Sequence, residues 1–173
     1  MQRIFAIEKL LNSYMKKIMF LCHGNICRSP MAEFVMKDLV KKAGRENEFS
    51  ISSGAVSNEE TGNDVYPQTK ALLRAKGVEV GYHSAHRITR EEFDESDLVI
   101  VMDQSNISRL SRIIGEEKVN TSDKVHLMME YAADTRSKHR FGYPDVADPW
   151  YTRDFERSYQ DILSGCRGLL ERF

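Results

Sequence analysis

Apolar residues follow a repeating rhythm along this chain: short unbroken runs alternate with stretches spaced for one face of a helix. Lys17-Ile18-Met19-Phe20-Leu21-Cys22 is a compact apolar run that stops at a loop containing glycine and asparagine, the pattern of a strand. From Ser29 onward Met31, Phe34, Val35 and Leu39 share one helical face. Ser29 is expected to cap that helix, with Pro30 at its first position, Glu33 in its first turn and Gly44 just past its end. Phe49-Ser50-Ile51-Ser52-Ser53 alternates like a second strand, Gly54 to Tyr66 reads as a polar surface loop, and Pro67 opens a helix that runs to Gly77. Asp97-Leu98-Val99-Ile100-Val101-Met102 predicts a buried strand, followed by a helix from Asp103 to Ile114 that Gly115 ends. A fourth strand is expected near Lys124 to Met128. Tyr131 to Trp150 reads as a long loop, and Thr152 to Phe173 as a terminal helix with Phe155, Tyr159, Ile162, Cys166 and Leu169 on its apolar face.

Strands alternating with helices predict an α/β fold: a doubly wound parallel sheet of four strands with helices on both faces. Ligands of such sheets bind at the carboxyl ends of the strands, where the loop after strand one lies. Residues 1–14, with Ile4, Ile7, Leu10 and Leu11 at helical spacing, read as an appended N-terminal extension of helical pattern. Met15 could then be a native start, and residues 15–173 form a single domain.

Composition narrows the function classes. A chain of 173 residues with 41% hydrophobic and 29% charged residues is an ordinary globular protein of one-domain size. Twenty-five basic residues against 26 acidic ones leave a net charge of -1, so no overall field draws it to nucleic acid. Any anion must be captured locally. The apolar runs fall far short of the roughly 20 residues of a membrane span, and the N-terminus lacks the plan of a secretory signal. Three cysteines, Cys22, Cys27 and Cys166, do not make a disulfide framework, and with the missing signal they predict a cytoplasmic protein. His23, His83, His86, His126 and His139 are scattered without ligand spacing, so neither a metal site nor a cofactor is expected.

The chemistry concentrates in Cys22-His23-Gly24-Asn25-Ile26-Cys27-Arg28-Ser29. A thiol at a strand end is followed by five loop residues and an arginine at the mouth of a helix. Five residues suffice to wrap a loop with its backbone N–H groups turned inward, a cradle for a dianionic oxyanion backed by the helix N-terminus. Arg28 can close the ring with a bidentate contact to two oxygens. The same positive surroundings favour thiolate over thiol at Cys22, and the Ser29 hydroxyl can donate to that sulfur. A thiolate so placed is set to attack phosphorus, and its leaving group needs an acid. Asp148, in Asp148-Pro149-Trp150-Tyr151, is the candidate, with Trp150 and Tyr151 as aromatic walls; Asp145 competes for the role.

Cys22 to Pro30 together with Asp148-Pro149 resemble the signature pair of the low-molecular-weight protein tyrosine phosphatases, and the resemblance spans nearly the whole chain beyond Met15. Ser52-Ser53-Gly54, His83-Ser84-Ala85 and Met102-Asp103-Gln104-Ser105-Asn106 also fall where that family has counterparts. The resemblance implies metal-independent hydrolysis of phosphotyrosine through a phosphocysteine, with Cys22 as nucleophile, Arg28 as phosphate clamp and Asp148 as general acid. It further implies that Asn25, Ser29 and Ser53 support the loop and that His83 partners Asn25. A regulatory Cys22–Cys27 disulfide is implied as well. Substrates would be phosphotyrosine proteins, and a tyrosine kinase is a further candidate partner. Two departures stand out. Glu59-Glu60 replace an aromatic wall, which argues against acidic peptide substrates, and Trp150 replaces the more frequent Tyr.

Rival readings remain on the same loop. Arsenate reduction requires further cysteines to carry a disulfide outward, and none lies between Cys27 and Cys166. A phosphoarginine-specific branch carries Thr at the position of Ile26 and a smaller acid loop. A phosphocarrier would need neither Arg28 nor Asp148, and a phosphopeptide-binding module would lose nothing if Asp148 were replaced. Taken singly, Cys166 reads as core packing, Asp103 as a helix cap, and His83 as an ordinary cap or surface histidine.

Overall fold

The structure, a computed structural model, describes residues 15–132 and 145–173. The helical reading of residues 1–14 and most of the long loop before Trp150 lie outside the described residues. Four strands, β1 (Lys16–Cys22), β2 (Phe49–Ala55), β3 (Leu98–Val101) and β4 (Val125–Leu127), pair in parallel in the order β2-β1-β3-β4. The helices are α1 (Arg28–Lys42), α2 (Pro67–Ala75), α3 (Arg90–Glu95), α4 (Gln104–Ile114), α5 (Glu116–Asn120), α6 (Pro149–Thr152) and α7 (Phe155–Arg172), with 3-10 turns at Glu46–Glu48 and Met128–Tyr131.

Alternation along β1 shows why the sheet is covered on both sides. Ile18, Phe20 and Cys22 join one core with Met31, Val35, Leu73, Ile162 and Cys166 from α1, α2 and α7. Met19 and Leu21 join a second with Phe93, Leu110, Ile114 and Val119 from α3, α4 and α5. Successive strand side chains point to opposite faces, so a strand sandwiched between helical layers must be apolar at every position. The sheet is doubly wound, as the alternating pattern predicts. β1 and β3 flank the point where chain direction across the sheet reverses, and the loop after β1 opens there.

Several boundaries differ from the sequence reading, each for a physical reason. Ser29 is not the cap of α1: Cys27 holds that position without a side-chain bond, and the Ser29 hydroxyl is turned into the loop. Glu33 stands beyond the first turn and accepts a bond from Ser53 at 2.5 Å. Helices α3 and α5 fall in stretches that carry little apolar periodicity. α3 nevertheless has a capping box, in which Thr89 and Glu92 satisfy each other's backbone N–H. Pro149 begins a short helix in place of a loop.

α7 packs tightly on the turn after β4, because Gly165 and Gly168 face it. A Cβ on Gly168 would collide with the Tyr131 carbonyl oxygen, a backbone atom with no rotamer to change. Gly168→Ala is therefore expected to destabilise the protein by about 1–3 kcal/mol or more despite alanine's better helix propensity. Thermal unfolding of the variant measures this, and a raised Tm would show that the contact is not close.

Candidate active site

Cys22 ends β1 and is buried. The next five residues turn back on themselves before α1 starts at Arg28. The turn depends on Asn25, whose φ of 59° lies in the left-handed region that asparagine tolerates better than most residues. Its side chain is fixed on three sides: Nδ2 donates to Ser29 Oγ and Ser53 Oγ, both at 2.9 Å, and Oδ1 accepts from His86 N at 3.3 Å. His83 Nε2 lies 2.7 Å from the Asn25 carbonyl oxygen. The outer part of the loop is pinned by Tyr66 N, which donates to the Ile26 carbonyl at 2.8 Å.

Two groups address the Cys22 sulfur. Asn25 N–H points at Sγ from 3.3 Å, and Ser29 Oγ is 3.0 Å away. Ser29 has a second acceptor, the Gly54 carbonyl at 3.1 Å, for its single proton. A neutral thiol can thus donate to Ser29 while Ser29 donates to Gly54, whereas a thiolate takes the Ser29 proton itself. Burial, and then the neighbouring Cys22, push the Cys27 thiol up to about 12, with only partial relief from the Thr69 hydroxyl.

Arg28 is 3% exposed and acts as the hub. Nη1 donates to Asp103 Oδ2 and Nη2 to Asp148 Oδ2, both at 2.7 Å, and Nη1 also reaches the Val146 carbonyl at 3.3 Å. Burial opposes its charge, yet Cys22, Asp148 and Asp103 together hold it firmly protonated. Burial likewise opposes ionisation of Asp103, but Arg28, Ser105 and the Asn106 N–H outweigh it and keep the carboxyl below the usual carboxylate range.

The loop from Asp145 to Asp148 crosses the open end of the sheet. Val146 N donates to the Met102 carbonyl at 2.9 Å, just after β3, and Gln104 N donates to Asp145 Oδ1 at 3.2 Å. Asp148 caps α6 by accepting from Trp150 N at 3.0 Å, which leaves its other oxygen on Arg28. Of the two competing acids, Asp145 meets the start of α4 and Asp148 meets Arg28. Cys22, Arg28 and Asp148 line one cavity of about 670 Å³ together with His23, Gly24 and Ile26.

One wall of that cavity is aromatic. Trp150 meets Tyr66 edge to face at 5.7 Å, and Tyr66 stacks on Phe155 at 5.9 Å. Tyr151 stands largely exposed at the rim. Another part of the lining is acidic: Glu59 accepts from His23 Nε2 at 2.8 Å, and that bond holds its carboxyl below its ordinary range. Glu60 lies against Gly24, where a Cβ would come within 3.0 Å of its Cγ.

Every residue expected at the site is brought to it or to its support. Sequence reasoning missed a second layer: Asp103 is a helix cap, as expected, and also an Arg28 partner; Glu33 and His86 N brace Ser53 and Asn25. The one signal for Asp103 was its position directly after a buried strand beside the β1 loop. Cys166 is wholly buried, with Sγ 3.7 Å from the Ala32 carbonyl, and burial raises its thiol far above the ordinary range. All three cysteines are free thiols. Among the described residues no group of three or more His, Cys, Asp or Glu side chains could hold a metal ion, and no helix is long and apolar enough to cross a membrane.

A thiol and an arginine that share one cavity at the switch point of a doubly wound sheet make an arrangement suited to holding and cleaving a phosphoric monoester. Comparison with known proteins makes this specific. The family described as low molecular weight phosphotyrosine protein phosphatase matches residues 17–173. The chain is 35% identical to the low molecular weight protein-tyrosine-phosphatase YfkJ of Bacillus subtilis over 90% of its length and 94% of that protein's. It is also 35% identical to the pig (Sus scrofa) low molecular weight phosphotyrosine protein phosphatase, over 91% of this chain and 95% of that one. The crystal structure of YfkJ superposes with a TM-score of 0.82, covering 91% of this chain and 94% of that one at 32% identity. That of the Streptococcus pyogenes enzyme SP-PTP gives 0.75, at 35% identity over 92% and 93%. The chain belongs to the low molecular weight phosphotyrosine protein phosphatase family.

Proposed function

We propose that the protein hydrolyses phosphotyrosine in proteins, with Cys22 as nucleophile, Arg28 as clamp and Asp148 as general acid. The observation that carries these roles is the single hub geometry: the guanidinium that shares a cavity with the Cys22 sulfur also bonds the Asp148 carboxylate at 2.7 Å. Phosphate enters the cradle with the tyrosine ring against Trp150. The Cys22 thiolate attacks phosphorus, the bond to the phenolic oxygen breaks, and Asp148 gives its proton to that oxygen. Asp148, now ionised, takes a proton from water as the water attacks phosphorus. The sulfur–phosphorus bond breaks, and inorganic phosphate leaves. No step draws on a metal or cofactor. The tyrosine kinase that forms the substrate is the natural counterpart, and three free thiols suit a reducing, cytoplasmic setting.

The rivals fit less well. Cys166 is sealed in the core between α1 and α7, so it cannot relay a disulfide for arsenate reduction. Ile26 and the bulky Trp150-Tyr151 wall favour an aryl phosphate over phosphoarginine. Phosphate release from phosphotyrosyl, phosphoseryl and phosphoarginyl peptides, with a metal chelator present, tests the choice. Turnover of the phosphotyrosyl peptide is expected to dominate and to ignore the chelator; preference for either other peptide, or loss to the chelator, overturns it. Within the phosphotyrosyl set, peptides with acidic neighbours should be disfavoured by Glu59 and Glu60.

Arg28→Lys keeps the positive charge and loses the planar fork, so it can no longer bridge Asp103, Asp148 and phosphate. A fall in kcat/KM of about 10²-fold or more is expected, on the scale of lost transition-state donors. Near-normal steady-state kinetics would rule out a bidentate clamp.

Peroxide should convert Cys22 to a sulfenic acid with release of water; the Cys27 thiolate then attacks that sulfur, the S–OH bond breaks and the hydroxyl takes a proton and leaves as water, forming a reversible disulfide. Because burial keeps Cys27 protonated at neutral pH, the second step should accelerate as pH rises toward 12, while Cys22 without peroxide is alkylated ahead of Cys27. Mass mapping decides: only overoxidised Cys22 beside free Cys27 would leave Cys27 a packing residue.

A further inference from the structure

The peptide unit just before Asp148 is held from both sides by α7. Ser158 is wholly buried, and its hydroxyl donates to the Ala147 carbonyl at 2.6 Å. One turn on, the buried Asp161 accepts from Ala147 N at 3.4 Å, and its other oxygen is tied to Arg157 Nε at 3.2 Å. The Asp154 carbonyl, 3.3 Å from the Ser158 hydroxyl, is the competing acceptor a helical serine ordinarily uses. The shorter bond crosses to the loop instead. Upstream, the same loop is fastened to Met102 and Arg28 through Val146. Asp148 is therefore suspended between two anchors: Arg28, which lines the cavity with Cys22, and the buried Ser158 of α7, which does not line it although its neighbours Arg157 and Asp161 do.

We propose that Ser158, with Asp161 beside it, is the positioning residue for the general acid, fixing Ala147 so that the Asp148 carboxyl stands over the leaving oxygen. This rests on Asp148 being that acid. Arg28 alone draws Asp148 toward the phosphate side. The α7 anchor sets the height of the backbone from which its side chain hangs, so losing it lets the acid drift while cradle and clamp stay intact. The effect of Ser158 must then run entirely through Asp148.

That requirement gives the test. Ser158→Ala should lower kcat on phosphotyrosine about threefold to tenfold, the worth of one net hydrogen bond, with KM changed less than twofold. It should leave turnover of an aryl phosphate with a very acidic phenol unchanged, because such a leaving group needs little protonation. Combined with Asp148→Asn, it should cost nothing further. Ser158→Cys, nearly isosteric and a poor donor, serves as a second variant in case the alanine leaves a damaging cavity, and thermal unfolding is read alongside. Equal losses on both substrates, a full additional loss in the Asp148→Asn background, or no loss at all overturns the positioning role. If Asp148→Asn itself shows no dependence on leaving group, the acid assignment has failed, and the inference falls with it.

Discussion

Cys22→Ser should abolish turnover, by at least about 10⁴-fold, while leaving the protein folded and able to bind phosphate. The substitution changes one buried atom in a loop whose shape is set by Asn25, Ser53 and His83 rather than by the sulfur. Serine's hydroxyl is not ionised near neutral pH, and the Asn25 N–H and Ser29 hydroxyl that face the sulfur cannot supply the missing nucleophilicity. Arg28 and the loop's N–H groups remain, so a phosphotyrosyl peptide should still bind and stay intact. Turnover within tenfold of the parent would mean that water attacks phosphorus directly and that Cys22 is not on the pathway.

Asp148→Asn is expected to reduce kcat on phosphotyrosine by about 10²–10⁴-fold. The defect should shrink as the phenol of the leaving group becomes more acidic, since a good leaving group departs without a proton. Asp145→Asn is the control on the same loop. Its carboxyl accepts from the start of α4, so its loss should be similar on all leaving groups. A leaving-group-dependent defect in Asp145→Asn and none in Asp148→Asn would exchange the two assignments without disturbing the cradle.

The nucleophilic loop was legible because its chemistry is local. Eight consecutive residues from Cys22 to Ser29 carry the thiol, the turn and the arginine, and flanking strand and helix patterns place them at the carboxyl end of a strand. Asp103, Ser158 and Asp161 were not legible in the same way. Each has an adequate local reading, as a cap or a helix-face residue, and its second role depends on which parts of the chain the sheet order brings together. Ser29 was misread for the complementary reason. A serine before a helical pattern is commonly a cap, and although its contact with the Cys22 sulfur was expected, nothing local revealed that the Gly54 carbonyl would be a second acceptor in place of the capping bond. Helices α3 and α5 escaped because six and five residues are too few to display an apolar period.

The most direct measurement is to trap the covalent intermediate. Asp148→Asn mixed with an aryl phosphate of a very acidic phenol should form the phosphocysteine quickly and hydrolyse it slowly, because water then lacks its base. Rapid denaturation during the burst of phenol release, followed by mass mapping, should place one phosphoryl group on Cys22. A phosphoryl group on another residue, or steady phenol release with neither burst nor modified Cys22, would contradict nucleophilic catalysis by this thiol.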